Sequence, residues 1–264
     1  MSREKKEVRI AITDGMIIPS SKDKGFISAW TISLCIAFGT ILYLCFTRPD
    51  PYYTILTFLP DGILVTFQVT IFSILVTIPI GLLTGLGRLS KNKTINLVAS
   101  TYVEIIRGIP LLVQLFFIYY ALGEFVQLPD VASAVIAMSV CYGAYMGEVF
   151  RAGIDAIDRG QTEASRSLGF NARQTMFLVV LPQAWRTILP PVGNEFIALL
   201  KDSSLVSILA VSELFRRGRE YASVTFEYFE AYLMVALIYL LITLLLSKAV
   251  SIMEAKLNYY DEHE

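Results

Sequence analysis

Five polar side chains lie inside or at the edge of long apolar runs of this 264-residue chain. They are Gln114, Glu148, Lys201, Asp202 and Ser203. A charged side chain at the centre of a bilayer costs about 2.5 to 3.5 kcal/mol on insertion scales, so these positions are candidates for contact with a ligand on a polar pathway. Structural alternatives stay open: Gln114 could bond a neighbouring helix, Glu148 could pair with Arg151, and Lys201 could neutralise Asp202.

The composition indicates a membrane protein. Hydrophobic residues make up 55% of the chain and charged residues only 17%, which is too apolar for an ordinary soluble domain. Uncharged runs cover residues 26–46, 62–87, 108–123, 131–147 and 231–247, and a less clean run at 174–211 contains Arg186, Glu195, Lys201 and Asp202. Because a helix needs about 20 mostly apolar residues to cross a bilayer, we predict an all-α polytopic membrane protein with about six transmembrane helices.

The basic residues are distributed unevenly. The first 25 residues hold six Lys or Arg, residues 88–93 hold three, residues 151–186 hold five, and Lys248 and Lys256 close the chain. All of these lie on one side if six helices alternate, while Arg48, Arg216, Arg217 and Arg219 lie on the other. The positive-inside rule therefore predicts that both termini and the 160–170 loop are cytoplasmic.

The N-terminal segment is expected to be retained. The apolar run at 26–46 is too long for the core of a secretory signal, and no small-residue cleavage site follows it, so we predict a cytoplasmic segment at 1–25 and a first helix at 26–46. The three cysteines lie in apolar runs and the single histidine, His263, lies in the tail at 258–264. This pattern supports no disulfide framework, no metal site and no catalytic residue.

Two segments predict local breaks in the helices. Pro110 removes a backbone hydrogen bond, so we predict a helix over 95–107 at the cytoplasmic rim that bends at 108–110 into the next span. The adjacent prolines 190 and 191, followed by the Lys201–Ser204 segment, predict a discontinuous helix, with a new helix over 203–211. A basic cluster further on, at 216–219, is either a docking surface or a solvated face.

The segment GQTEASRSLGF at 160–170 interrupts the apolar runs with charged and small residues. We predict a short helix over 162–168, a left-handed stop at Gly169, and a new helix capped by Asn171 with Gln174. A structured loop of about 25 residues is longer than a simple connection needs. Small residues that permit close approach, with Glu163 and Arg166 to set register, favour a knob that docks into a partner protein.

These residues carry a family resemblance. The stretch GQTEASRSLGFNARQTMFLVVLPQAWRTILPP resembles the EAA loop of ABC importer permeases, with the pattern G-Q-x-E-A-x-x-x-L-G and the Leu-Pro pair at 181 and 182. The segments DGILVTFQVT, YVEIIRGIPLLVQLFF, EVFRAGI and PPVGNEFIALLKDSSL resemble the polar amino acid permeases of that superfamily. The likeness covers about residues 61–257. Ser165 replaces the second alanine of the E-A-A pattern, a small-for-small change.

The resemblance implies a type I ABC importer transmembrane domain with a five-helix core at 61–257, to which the helix at 26–46 is added. It implies that the loop at about 155–182 couples the permease to two ATPase subunits through Gly160, Gln161, Glu163, Ala164, Ser165 and Gly169. It further implies a second permease copy, identical or related, an extracytoplasmic binding protein, an amino acid substrate and a location in the cell inner membrane. A zwitterionic solute needs both signs of charge and hydrogen-bond donors, which the five membrane-depth residues offer.

The chain contains no G-x-x-x-x-G-K-[ST] phosphate loop, so we expect it to bind no cofactor, while a partner subunit uses ATP and Mg²⁺. Two other classes fit less well. A secondary transporter would show internal repeats, and none is visible. An intramembrane enzyme would need a catalytic pair inside the spans, yet the only histidine is in the tail. Another small solute is the remaining alternative within the importer class.

Overall fold

The structure is a computed structural model that describes residues 28–126 and 128–261. Every regular element in those ranges is helical, which confirms the all-α prediction. The first six helices are α1 (Ala29–Thr47), α2 (Pro49–Phe58), α3 (Pro60–Arg88), α4 (Lys93–Gly108), α5 (Leu111–Phe125) and α6 (Asp130–Asp155). The remaining five are α7 (Arg159–Ser167), α8 (Ala172–Thr175), α9 (Leu181–Asp202), α10 (Leu214–Thr225) and α11 (Tyr228–Asp261).

Four helical stretches within the described ranges are long and apolar enough to cross a membrane. They are Ala29–Thr47, Pro49–Arg88, Asp130–Asp155 and Tyr228–Leu257, and the bent pair α4 and α5 makes a fifth if it counts as one span. At 22 residues α9 is also about 33 Å long, but it carries the charged residues that the sequence showed at 174–211. The helix count is therefore close to the predicted six.

The core of the bundle is the packing of α3 against α6. Small residues permit it, because a Cβ atom added at Gly81 would lie 2.5 Å from Met146 and one added at Gly85 would lie 2.8 Å from Phe150. Larger residues at either glycine would push the helices apart. These glycines of α3 therefore permit the close packing of the two helices.

The N-terminal helices pack at one edge of the bundle. Helix α1 buries only Ala37 and Ile41, and the indole nitrogen of Trp30 donates a hydrogen bond of 2.8 Å to the Leu244 carbonyl of α11. Residues 26 and 27 of the predicted first helix lie outside the described ranges. The sequence reading missed α2, which buries Tyr52 and Ile55 against α10 and α11.

The α4–α5 bend is sharp, at 111°, and confirms the predicted break at 108–110. The prediction of a break at the paired prolines is wrong, because α9 continues through Pro190 and Pro191. The helix changes character at its ends instead: a π-helix at Met176–Val180 joins α8 to α9, and a 3₁₀ helix at Ser203–Leu209 follows α9. That second change lies where the Lys201–Ser204 segment predicted it.

Candidate functional site: a coupling hairpin and a charged cavity

The helix-turn-helix at 159–175, here called the coupling hairpin, is built by local caps. Asp158 caps α7 by accepting a 2.6 Å hydrogen bond from the Gly160 N–H, so the helix starts three residues before the predicted Thr162. Gly169 has φ +92°, and Asn171 with Gln174 forms a capping box with two 2.9 Å hydrogen bonds. The predicted stop and the predicted cap are both confirmed.

The predicted docking residues of the coupling hairpin differ in solvent exposure. Gly160, Gln161, Glu163, Ala164 and Gly169 are exposed. Ser165 is only 4% exposed, and its hydroxyl hydrogen-bonds the Thr162 carbonyl at 2.9 Å and the Thr175 hydroxyl at 3.1 Å. Ser165 therefore holds the two arms of the hairpin together and offers little surface to a partner.

The sequence reading left one exposed apolar side chain of the hairpin out of the docking set. Leu168 is 80% exposed at the end of α7. An apolar side chain that projects from a polar turn is suited to a partner pocket. The signal was present in the sequence, because Leu168 is the leucine of the G-Q-x-E-A-x-x-x-L-G pattern.

A cavity of about 330 Å³ lies between α4, α6 and α9. Its lining includes ionisable residues of both signs, an aromatic ring and a hydroxyl: Arg107, Glu148, Glu195, Tyr145 and Thr187. The Arg107 guanidinium lies 5.7 Å from the centre of the Tyr145 ring, within the range of a cation–π contact. Of the five predicted pathway residues, only Glu148 lines this cavity.

Glu148 is the centre of an ion-pair network that joins α3 to α6. It accepts hydrogen bonds from Arg88 of α3 and from Arg151, whose nearer guanidinium nitrogen is 2.5 Å away. Arg151 also reaches Asp155 at 3.7 Å. The predicted pairing with Arg151 is confirmed, and Arg88, 60 positions earlier in the chain, is an additional partner that spacing alone could not indicate.

Asp202 is bonded to α6. The Tyr142 hydroxyl donates a 2.7 Å hydrogen bond to its carboxylate. Within residues 28–126 and 128–261 the structure shows no ion pair between Asp202 and Lys201, so the alternative in which they neutralise each other is wrong. Lys201 instead lines a separate cavity beside Tyr232 and Tyr239, and the buried Ser203 hydroxyl donates to the Leu200 carbonyl at 2.7 Å.

Gln114 lies at the α4–α5 bend and is 4% exposed. Its side-chain nitrogen donates to the carbonyls of Ile106 at 2.5 Å and Ile109 at 2.6 Å, both at the C-terminal end of α4. The last carbonyls of a helix have no partner within it, so the Gln114 amide satisfies groups that the bend exposes. This geometry favours the structural alternative for Gln114.

The sequence reading missed Glu213, which is 0% exposed. Its carboxylate caps α10 by accepting from the N–H groups of Phe215 and Arg216 at 2.8 and 2.7 Å, and the Tyr239 hydroxyl of α11 donates to it at 2.7 Å. The Leu214 N–H donates to the Thr66 hydroxyl of α3 at 3.1 Å. Glu213 thereby fixes α10 to the bundle, and the N-cap position before an LFRR helix was its only signal in the sequence.

The basic cluster at 216–219 is largely neutralised within the chain. Arg216 pairs with Glu220 at 2.9 Å, and Arg217 pairs with Glu220 at 3.3 Å and with Asp61 at 3.5 Å. Burial alone would raise the pKa of Glu220, but the hydrogen bonds from Arg216 and Arg217 outweigh it and hold that pKa below its usual value. The cluster is therefore mainly structural, with Arg219 as its exposed member.

Comparisons with known proteins agree with this geometry. A family model described as "Binding-protein-dependent transport system inner membrane component" matches residues 77–259. The L-cystine transport system permease protein TcyB of Bacillus subtilis (strain 168) is 42% identical over 204 residues, which cover 76% of this chain and 87% of that protein. The probable glutamine ABC transporter permease protein GlnP of the same organism is 37% identical over 205 residues, which cover 76% of this chain and 94% of that protein.

Two solved structures share the fold. The crystal structure of an amino acid ABC transporter with histidines aligns with a TM-score of 0.72 at 42% identity and covers 77% of this chain and 95% of that one. An inward-facing structure of the MetNI methionine ABC transporter aligns with a TM-score of 0.63 at 20% identity, over 76% of this chain and 97% of that one, which shows the fold alone. The family match spans most of the chain and the relatives match along most of their length, so this multi-pass inner membrane protein belongs to the binding-protein-dependent transport system inner membrane components, as a permease subunit of an ABC importer.

Proposed function

We propose that this permease carries polar amino acids that an extracytoplasmic binding protein delivers. Two ATPase subunits dock at the coupling hairpin and drive the inward transport. The observation that carries the choice of solute is the cavity between α4, α6 and α9, which has both signs of charge. An amino acid needs a cation for its carboxylate and an anion for its ammonium group. Arg107 supplies the first and Glu195 supplies the second, while Glu148 is already paired with Arg88 and Arg151.

The similarity to permeases for cystine, glutamine and arginine supports the same class of solute. Tyr145 and Thr187 add an aromatic face and a hydroxyl to the wall of the cavity.

Movement of the coupling hairpin is transmitted to the cavity by the helices that flank it, α6 and α9. Helix α6 ends at Asp155, just before α7, and α8 continues through the π-helix into α9. These two helices carry Glu148 and Glu195, on two walls of the cavity. Because the caps at Asp158 and Asn171, together with the Ser165–Thr175 hydrogen bond, hold the hairpin as one unit, a displacement of the hairpin by closing ATPase subunits moves both walls, as alternating access requires.

The proposal includes a second permease copy, identical or related, and cytoplasmic placement of both termini and of the hairpin. Labelling of single cysteines in a variant without Cys35, Cys45 and Cys141 tests the placement. We expect a cysteine at Asp130 to react from outside and one at Asn92 to react only from the cytoplasm. The reverse pattern would overturn it.

Uptake in cells tests the transport proposal. The gene for this chain is disrupted, and uptake of radiolabelled cystine, glutamine, arginine and maltose is compared before and after. We expect uptake of at least one of the amino acids to fall to background and to return with the wild-type chain but not with Gly169→Val. Loss of maltose uptake alone, with all amino acid uptake preserved, would contradict the proposed solute class.

A further inference from the structure

An apolar groove of about 430 Å³ lies between α3 and α4, away from the charged cavity. Its lining is mainly apolar, from Leu83, Gly87, Ile95, Val98, Ala99 and Tyr102, and Thr84 and Thr94 complete it. Leu83 and Val98 are 72% and 66% exposed, although both are large aliphatic side chains. The groove therefore presents apolar surface outward and needs an apolar occupant.

The groove has a fixed shape. Gly87 lets the two helices touch, because a Cβ atom added there would lie 3.0 Å from the Ala99 Cβ. At one end the Asn96 side-chain amide donates to the Arg88 carbonyl, and at the other the Tyr102 hydroxyl donates to the Val140 carbonyl of α6. These hydrogen bonds hold α4 against α3 and α6, so both walls of the groove are fixed in position.

The groove lies at the end of a membrane span. Leu83 is five residues, or about 7.5 Å, before Arg88, the last residue of α3, and the Pro49–Arg88 stretch is long and apolar enough to cross the membrane. Lys91 and Lys93 follow directly, in the turn to α4 and at its first residue. Apolar surface at the depth of the acyl chains thus meets positive charge at the depth of the headgroups.

The charge at this end of the groove is uncompensated. Lys91 and Lys93 are exposed, and among the residues that the structure describes neither forms an ion pair. The sequence RLSKNKTINLVASTYV at 88–103 has no acidic residue. The N–H groups of Thr94 and Ile95 are already bonded to the Asn92 side chain, so the lysines, and not the start of α4, supply the attraction.

We propose that this groove binds an anionic phospholipid, with an acyl chain along Leu83 and Val98 and the phosphate between Lys91 and Lys93. A second copy of the chain fits less well. A symmetric contact would bring the same face of both copies together and set lysines against lysines. Each Lys near an anionic lipid surface strengthens binding roughly fivefold, so the pair selects anionic over zwitterionic headgroups.

Native mass spectrometry of the full chain tests this site. The protein is released from micelles that contain equal amounts of phosphatidylglycerol and phosphatidylcholine with the same acyl chains. We expect the wild type to retain phosphatidylglycerol in excess, and Lys91→Gln with Lys93→Gln to lower the ratio of the two bound lipids by roughly tenfold or more. Val98→Trp, which fills the groove, is expected to reduce retention of both lipids.

The matched control is Lys248→Gln with Lys256→Gln, which removes two charges from the C-terminal part of α11. No described residue of α11 lines the groove, so a lipid held in the groove should lose less than about twofold in the ratio. The proposal is overturned if the Lys91 and Lys93 variant keeps its preference, or if the control loses the preference equally. Efficient disulfide cross-linking between two copies through Val98→Cys would also overturn it, because the groove would then be covered by protein.

Discussion

The coupling hairpin and the charged cavity are built in opposite ways. In the hairpin, bonding partners lie close in sequence: Asp158 caps Gly160, Asn171 caps Gln174, and Ser165 reaches Thr175 ten positions away. In and around the cavity, the decisive partners are 60 positions apart, as in Arg88 with Glu148 and Tyr142 with Asp202. A local unit can move as one body, whereas a site shared by several helices changes shape when those helices move.

This difference predicts that a substitution in the hairpin abolishes coupling to the ATPase subunits and leaves the helix bundle folded. A change near the cavity should instead act on the stability of the bundle and on the solute together. Four experiments test the contrast.

The largest effect is expected for Gly169→Val. At φ +92° a β-branched residue is strained by at least about 1 to 2 kcal/mol, although no atom stands within 4 Å of the added Cβ. The α7 stop should therefore be lost without a clash in the bundle. We expect normal membrane insertion, but no co-purification of the ATPase subunits and no uptake.

The matched control for that variant is Gly39→Val in α1, where a Cβ also meets nothing within 4 Å but φ is not positive. It should behave as the wild type in both assays. Normal uptake by Gly169→Val would show that the hairpin conformation is not needed for coupling.

Glu148→Gln is expected to have the next largest effect. It leaves Arg88 and Arg151 partly buried without their shared carboxylate, at a cost of about 2 to 3 kcal/mol after allowance for their partial exposure. Thermal unfolding of the purified chain in detergent measures the loss of stability. Glu163→Gln, at an exposed carboxylate, should change stability by less than about 0.5 kcal/mol, and equal losses in both variants would argue against the network.

A double-mutant cycle of Asp202→Asn and Tyr142→Phe addresses the bond between α6 and α9. A hydrogen bond to a charged group is worth about 1.5 kcal/mol, so the two changes should be non-additive by about that amount in unfolding free energy. Lys201→Gln should show no such coupling to Asp202→Asn. If Lys201→Gln rescues Asp202→Asn while Tyr142→Phe does not, the pairing seen in the structure is wrong for the working transporter.

Ser165→Ala is expected to have the smallest effect. It removes the hydrogen bond to Thr175 and costs under about 1 kcal/mol, because the E-A-A pattern accommodates alanine at this position. Co-purification of the ATPase should weaken far less than for Glu163→Ala or Leu168→Ala, whose side chains are exposed. A loss for Ser165→Ala as large as for Leu168→Ala would show that Ser165 contacts the partner directly.

Local chemistry made much of this architecture predictable. The length of the apolar runs predicted the spans. Pro110 predicted the bend, and Gly169 with Asn171 predicted the hairpin, because a bend and a cap depend on the conformational preferences of neighbouring residues. The prolines at 190 and 191 misled the same reasoning. Each proline removes a backbone hydrogen bond, yet α9 continues through both without a break.

By itself, the sequence determined the class of protein, the position of the coupling hairpin, its stop at Gly169 and its cap at Asn171, since hydrophobic length and backbone conformation are properties of short segments. Only the tertiary structure decided which polar residues meet. Arg88 pairs with Glu148, Asp202 bonds Tyr142 and not Lys201, and Glu213 is buried against Tyr239. Helix packing sets these distances, and spacing along the chain does not. The groove beside Lys91 and Lys93 likewise depends on tertiary packing, in which Gly87 lets α4 lie close to α3.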